Sequence, residues 1–270
     1  MKKEGFFPWL WRFLKRLFLI LFIAQFVYII LLKWMDPPIT MTQLASLLTG
    51  HGLKRDYVNR NQMSVNAKLA VIASEDQLFP DHNGFDFKSI EKAMKHNQKS
   101  KSLHGASTIS QQTAKNVFLW QGRSWIRKGL EVYFTFMIEK IWGKKRILEV
   151  YMNVAEMGDG IFGIEKASQK YFNKPAVNLA RQEAAMIAAC LPNPRRYSVK
   201  PVSRYVSVRS GWVSRQMNNL QADPDIQKIV NNNLSKKWSF NNKFYFITVV
   251  RRSNGTNVKN GKDKIIISFG

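Results

Sequence analysis

One cysteine in 270 residues rules out a disulfide framework. That cysteine, Cys190, stands in the apolar run 184–191 (AAMIAACL), where a small buried hydrophobe is the expected role rather than a nucleophile. No Cys/His spacing suits a zinc site, no Walker glycines precede a Lys-Ser/Thr pair, and no Gly-x-Ser-x-Gly elbow presents a serine. There is no internal repeat and no low-complexity segment. Acids are scarce as well: 18 Asp and Glu stand against 42 Lys and Arg, a formal net charge of +24. Such a chain seeks polyanions, whether nucleic acid, an anionic membrane face or a phosphorylated substrate.

What the chain does have is one long apolar run. Leu17 to Leu32 is free of formal charge, and Trp9, Trp11, Phe13 and Leu14 before it, with Trp34 and Met35 after it, extend it toward the ~20 residues of a bilayer helix. Lys15 and Arg16 are placed to snorkel. Lys2, Lys3, Arg12, Lys15 and Arg16 precede the run, against Lys33 and Asp36 after it, so the positive-inside rule puts the N-terminus in the cytoplasm and the rest outside. That orientation argues against nucleic acid. A cleaved signal peptide competes with an uncleaved anchor, but Asp36-Pro37-Pro38 stands where small-residue cleavage chemistry belongs. The remaining length holds one domain of ordinary size.

The pattern divides the chain into a basic N-terminus (1–16), an anchor (17–35), a linker (36–62), a domain (63–236) and a tail (237–270). Within this, Thr40–Leu48 reads as a short helix, 51–62 as a polar connection, and Phe87 to about Asn97 as a helix followed by a lysine-rich loop or basic edge, 95–101. Thr108 opens a helix through Asn116, and a long one runs from Ser124 to Trp142, stopped by Gly143. Further helices are predicted at 145–157, 161–172, 179–191 (capped by Asn178) and 203–220. In the tail, 244–250 and 265–269 are β-rich runs that suggest a loose hairpin.

Ser74 to Asp86 (SEDQLFPDHNGFD) gathers acids, a histidine and a turn glycine. The helix leading in carries Val65, Leu69 and Ile72 on its apolar face, so Glu75 and Asp76 arrive near its C-terminal end. The helix dipole disfavours negative charge there, so a carboxylate at that place is seldom there for stability. The plainer reading is a surface turn with Asp81 or Asp86 capping the next helix and His82 a satisfied structural histidine.

Gly105 to Gln112 (GASTISQQ) starts a helix with small residues and hydroxyls, where free N–H groups attract phosphate. Thr108 and Gln111 have the capping-box spacing. Lys115 lies one turn beyond, and Arg123, Arg127 and Lys128 follow, enough cation to hold a pyrophosphate. As structure alone this is a cap beside a solvated basic face. Glu131 and Glu139 sit among apolar residues of the long helix, where a pair with Arg127 or Lys128 accounts for Glu131. Glu165, Glu183 and Arg181 have ordinary helix-surface readings.

These segments nevertheless follow a familiar order. Glu75-Asp76-x-x-Phe79-x-x-His82-x-Gly84, Gly105-Ala-Ser107-Thr108-Ile109-x-Gln111-Gln112-x-x-Lys115-Asn116, Arg127-Lys128-x-x-Glu131 and Ile147-Leu148-Glu149-x-Tyr151-x-Asn153 resemble the peptidoglycan glycosyltransferase domain family. The match continues through Gly160-x-x-Gly163-Ile164-Glu165 with Tyr171-Phe172, and Glu183-Ala184-Ala185 with Leu191-Pro192-Asn193-Pro194, so it covers about Val65 to Pro194. The length leaves no room for a penicillin-binding transpeptidase domain, which implies the monofunctional branch. Two positions depart from the pattern: Gly105-Ala106 replaces a common Gly-Gly, and Lys92 stands where an arginine often follows the first motif, so no bidentate fork is offered there. The β-rich tail lies outside the resemblance.

The resemblance implies a mostly α, lysozyme-like domain on a single N-terminal transmembrane helix, with a smaller lobe dipping into the outer leaflet through Val117 to Trp120 and Trp125-Ile126. It implies lipid II and the growing lipid-linked glycan as substrates, Glu75 as general base, and inversion at the donor sugar without a covalent intermediate. Ser107, Gln111, Gln112, Lys115, Arg123, Arg127 and Lys128 match positions around the pyrophosphate, and Asp76, Phe79, His82, Lys92, Thr108 and Asn116 complete the expected substrate-binding set. Glu131 is the second acid, which either holds a divalent cation, Mg or Mn, or orients the cations around it. The membrane and other cell-wall or division proteins are the candidate partners, and the inner (plasma) membrane the expected location. The rival readings are a lytic lysozyme-like enzyme acting on finished glycan, which needs no pyrophosphate cluster, and a non-catalytic membrane-anchored scaffold.

Overall fold

The computed structural model describes residues 6–99, 105–122 and 124–232, and its first element, α1 (Phe6–Leu31), continues the apolar helix well before Leu17. Trp9 stacks on Phe13 at 5.9 Å, and Lys15 lies over the Trp11 ring at 5.7 Å, so the aromatic turn before the uncharged run is helical too. At 1.5 Å per residue the 26 residues span about 39 Å. Most of its side chains are exposed, and it is long and apolar enough to cross a membrane.

After Pro37-Pro38 comes α2 (Met41–Leu48), opened by a capping box between Thr40 and Gln43. The polar connection contains a two-residue strand, β1 (Lys54–Arg55), and a 3-10 turn, Arg60–Gln62. Then α3 (Val65–Glu75) starts at Ser64, whose side chain accepts from the Ala67 N–H, and buries every residue from Ala67 to Ala73. Next come α4 (Phe87–Lys99), α5 (Ile109–Phe118), α6 (Trp125–Ile141) and α7 (Lys144–Val154). The stretch expected as a basic loop from Lys95 is the last turns of α4 as far as Lys99.

Three other boundaries differ from the sequence reading. Helix α7 stops at Val154 because Ala155 turns extended and β2 (Glu156–Gly158) follows. Residues 161 and 162 are β3 (Ile161–Phe162), and α8 (Ile164–Phe172) begins only after Gly163, whose φ of +85° and approach to the Asn153 carbonyl leave no room for a Cβ. Asn178 caps nothing: it ends a 3-10 turn, and α9 (Arg181–Cys190) starts after extended Ala180, whose N–H donates to Glu183 Oε2 at 2.8 Å. The last helices are α10 (Arg204–Leu220) and α11 (Pro224–Val230), the second unforeseen although Asp223 and Pro224 are a cap followed by N1 proline. The expected hairpin of 244–250 and 265–269 lies outside the described residues.

Packing centres on α3, which lies against α9, α10 and α11, while α5 packs on α6 and α7. The strands form one small sheet in the order β1-β3-β2, β1 parallel and β2 antiparallel to β3. Even a lysine is used as filler: Lys68 of α3 is buried, its ammonium donating to the Arg60 carbonyl at 3.2 Å and to Asn232, and burial lowers its pKa to about 8.

Candidate active site

Glu75 is the last residue of α3, so its carboxylate projects where the helix stops and the chain turns. Gln112 of α5 donates its amide Nε2–H to Glu75 Oε2 at 2.8 Å, and the Ser74 hydroxyl lies 3.3 Å from Oε1. Protein surrounds the carboxylate closely, and this burial raises its pKa; the bonds from Gln112 and Ser74 and the charge of Arg209 on α10 pull against that rise. Arg209 was not foreseen: its guanidinium lies 3.7 Å from the Trp212 ring centroid. A cleft of about 340 Å³ opens at this point, lined by residues 74–78, Asp86, Ser89 and residues 105–108. A larger one, about 430 Å³, is lined by Pro80, Trp142, Lys144 and Ile229 among others and contains neither motif glutamate.

Asp76 holds the two sides of the smaller cleft together. Its Oδ2 accepts the Ile109 backbone N–H at 2.9 Å, which ties the N-terminus of α5 to the end of α3. The His82 Nε2 donates to it at 2.9 Å, while His82 Nδ1 accepts the Gly84 N–H at 3.1 Å, an arrangement that fixes the tautomer with the proton on Nε2. Phe79 is wholly buried beneath the Lys144 ammonium, 4.5 Å from its ring centroid. Thr108 and Gln111 form the capping box of α5, and the Thr108 hydroxyl also donates to the Gly84 carbonyl at 2.7 Å. Asn116 accepts from the Thr42 hydroxyl at 3.3 Å, joining α5 to α2. Of the expected substrate contacts, then, Phe79, His82, Gln111 and Asn116 do not line the cleft and are committed to packing or internal bonds; Asp76 and Thr108 line it while also bonded inward. Ser107 is exposed on its rim, and Lys92 is exposed on α4 one turn beyond Ser89.

The cations gather on α5 and α6. Arg127 Nη1 reaches Glu131 Oε2 at 2.9 Å and Lys128 Nζ reaches Oε1 at 2.5 Å, with Glu131 itself buried. Lys115 faces the same group: burial lowers its pKa, Glu131 raises it, Arg127 and Lys128 lower it further, and Glu75 also acts on it. Lys115 therefore lies within electrostatic reach of both glutamates. Arg123 lies outside the described residues. Each Glu131 carboxylate oxygen takes a side-chain cation, and among the described residues no group of three His, Cys, Asp or Glu is placed to hold a metal ion.

The expected dipping surface is only partly where it was read. Val117 and Leu119 are buried, and Phe118 stacks on Phe134 at 4.6 Å, because the α5 face they occupy packs on α6. Trp120, Trp125 and Ile126 are exposed, Trp125 at 92%.

The sequence pattern of the family described as "Transglycosylase" matches residues 41–218, so the chain belongs to the transglycosylase family. Within it, 174 residues are 58% identical to the biosynthetic peptidoglycan transglycosylase of Escherichia coli (strain K12 / DH10B), covering 64% of this chain and 72% of that protein. The protein of the same name from Shigella boydii serotype 4 (strain Sb227) is likewise 58% identical over 174 residues, with the same coverage.

Proposed function

We propose that this glycosyltransferase of peptidoglycan biosynthesis polymerises lipid II, with Glu75 as the general base. The observation that carries the reading is the Glu75 carboxylate, desolvated at the end of α3 and held by Gln112 beside a cleft, with the cations of α5 and α6 nearby. Glu75 takes the proton of the acceptor sugar 4-hydroxyl as its oxygen attacks the donor C1. The C1–O bond to the lipid pyrophosphate breaks, the configuration inverts from α to β, and the pair of electrons leaves on the pyrophosphate. Lys115, Arg127 and Lys128, with Arg123, stabilise that developing charge. Glu131 takes part by holding Arg127 and Lys128 in place rather than by holding a metal.

A single-pass anchor suits a substrate that is apolar at one end and anionic in the middle. In this reading α1 spans the inner membrane with its N-terminus in the cytoplasm, and the catalytic domain works outside. The test is to incubate purified protein with lipid II and resolve the products. Glycan polymer and released undecaprenyl pyrophosphate are expected; cleavage of finished glycan without polymerisation supports a lytic enzyme, and no reaction with either supports a scaffold.

A further inference from the structure

The Gln112 side chain touches two groups, not one. Its Nε2 donates to Glu75 Oε2 at 2.8 Å, and its Oε1 accepts from the hydroxyl of Tyr151, on α7, at 3.2 Å. Tyr151 is buried, and burial with Glu75 nearby raises its pKa well above the ordinary tyrosine value, so the phenol keeps its proton and must place it. An amide has two orientations. With Glu75 ionised, a carboxylate that only accepts, one of them turns the amide oxygen toward negative charge and leaves the Tyr151 proton facing an NH₂ group.

We infer that Tyr151 is a positioning residue of this transglycosylase: by donating to Gln112 Oε1 it holds the Gln112 amide with its NH₂ toward Glu75, which favours the ionised base. The inference rests on the reading of Glu75 as general base. Tyr151 reaches the reaction through the Gln112 side chain, from an element, α7, that does not line the cleft. The motif Ile147 to Asn153 thus gains a role beyond its core residues.

Other groups around Glu75 stay fixed when only this hydroxyl is removed. Arg209 acts on it from α10, Lys115 and Gln112 from α5, and Ser74 and Asp76 from its own segment, while Cys190 of α9 is a neutral thiol whose pKa burial, with Glu75, pushes up to about 12. A lost donor to the ionised form raises the Glu75 pKa further, so the acid limb of the pH–rate profile must move to higher pH.

The experiment uses full-length Tyr151→Phe with lipid II. Expected are a kcat lower by about tenfold, the scale of a lost hydrogen bond to a charged group, a KM within about twofold of the parent, and an acid limb at higher pH. In a Gln112→Leu background, where there is no amide to orient, Tyr151→Phe should change kcat by less than about twofold. An unmoved acid limb, an equal effect in both backgrounds, or a melting temperature lowered by more than about 5 °C would overturn the inference in favour of a structural hydroxyl. Glu75→Gln run alongside separates the two levels: if it polymerises normally, the base assignment has failed rather than the relay alone.

Discussion

A carboxylate that must ionise to work, in a place that resists ionisation, gives the site its pH behaviour. Burial raises the Glu75 pKa above the ordinary glutamate value, so activity should fall with decreasing pH through a limb that lies above the range of a free glutamate. For stability the sign is opposite. Between the unfolded and folded pKa values the native state binds the proton and the unfolded chain does not, so stability contributed by the protonated group is lost as pH rises. Glu75→Gln removes that loss. It should therefore melt at or above the parent at neutral pH while losing on the order of 10² to 10⁴ in rate; a large fall in melting temperature would show that the carboxylate was holding structure instead. Glu131→Gln should behave differently, because it leaves Arg127 and Lys128 sharing a weaker acceptor. Both stability and rate are expected to drop, and added Mg or Mn should restore neither; rescue by either ion in the lipid II assay would assign a metal to this acid.

At this scale the sequence was informative wherever the partner is close by. Thr108 and Gln111 announce their cap because they stand three positions apart, and Arg127 and Lys128 reach Glu131 within about one helical turn. The bonds that hold Glu75 were illegible: Gln112 is 37 residues away and joins Tyr151 across another 39, and no spacing encodes such pairs.

Among the elements, the turn between α3 and α4 depends on one glycine. Gly84 has φ +91°, and a Cβ there would lie 2.7 Å from Thr135 Cγ2 and 3.0 Å from Glu139 Cγ on α6. Its N–H serves His82 and its carbonyl serves Thr108, so the position links the turn to the cap of α5. Gly84→Ala should cost about 1 to 3 kcal/mol from backbone strain alone, with further loss from the clash. Thermal unfolding checks this, and an unchanged melting temperature would mean the turn relaxes freely. Long helices were readable from their apolar periodicity and caps. The β1-β3-β2 sheet was not, since two- and three-residue strands carry no period, and its parallel pair joins residues 54–55 to 161–162.

For the molecule as a whole, the proposed orientation rests on the cations flanking α1. A reporter fused after Gly270 should be active only outside the cytoplasm, and cytoplasmic activity would reverse the proposed topology. Yet α1 is also engaged by the domain. Its last turn and the residues after it are gripped by the domain: Trp142 Nε1 donates to the Ile29 carbonyl at 2.8 Å, and Arg146 donates to the Leu32 carbonyl at 3.1 Å, to the Met35 carbonyl at 2.7 Å and to Asp36 at 3.0 Å. Gln25 reaches the Tyr133 hydroxyl at 3.2 Å, and Tyr28 meets Phe118 edge-on. These bonds tie the last turns of α1 and the residues after it directly to the domain. With α1 in a bilayer, its lean is also the lean of the cleft, and bilayer thickness, which sets how far an apolar helix tilts, becomes a control on the angle at which the site meets its substrate.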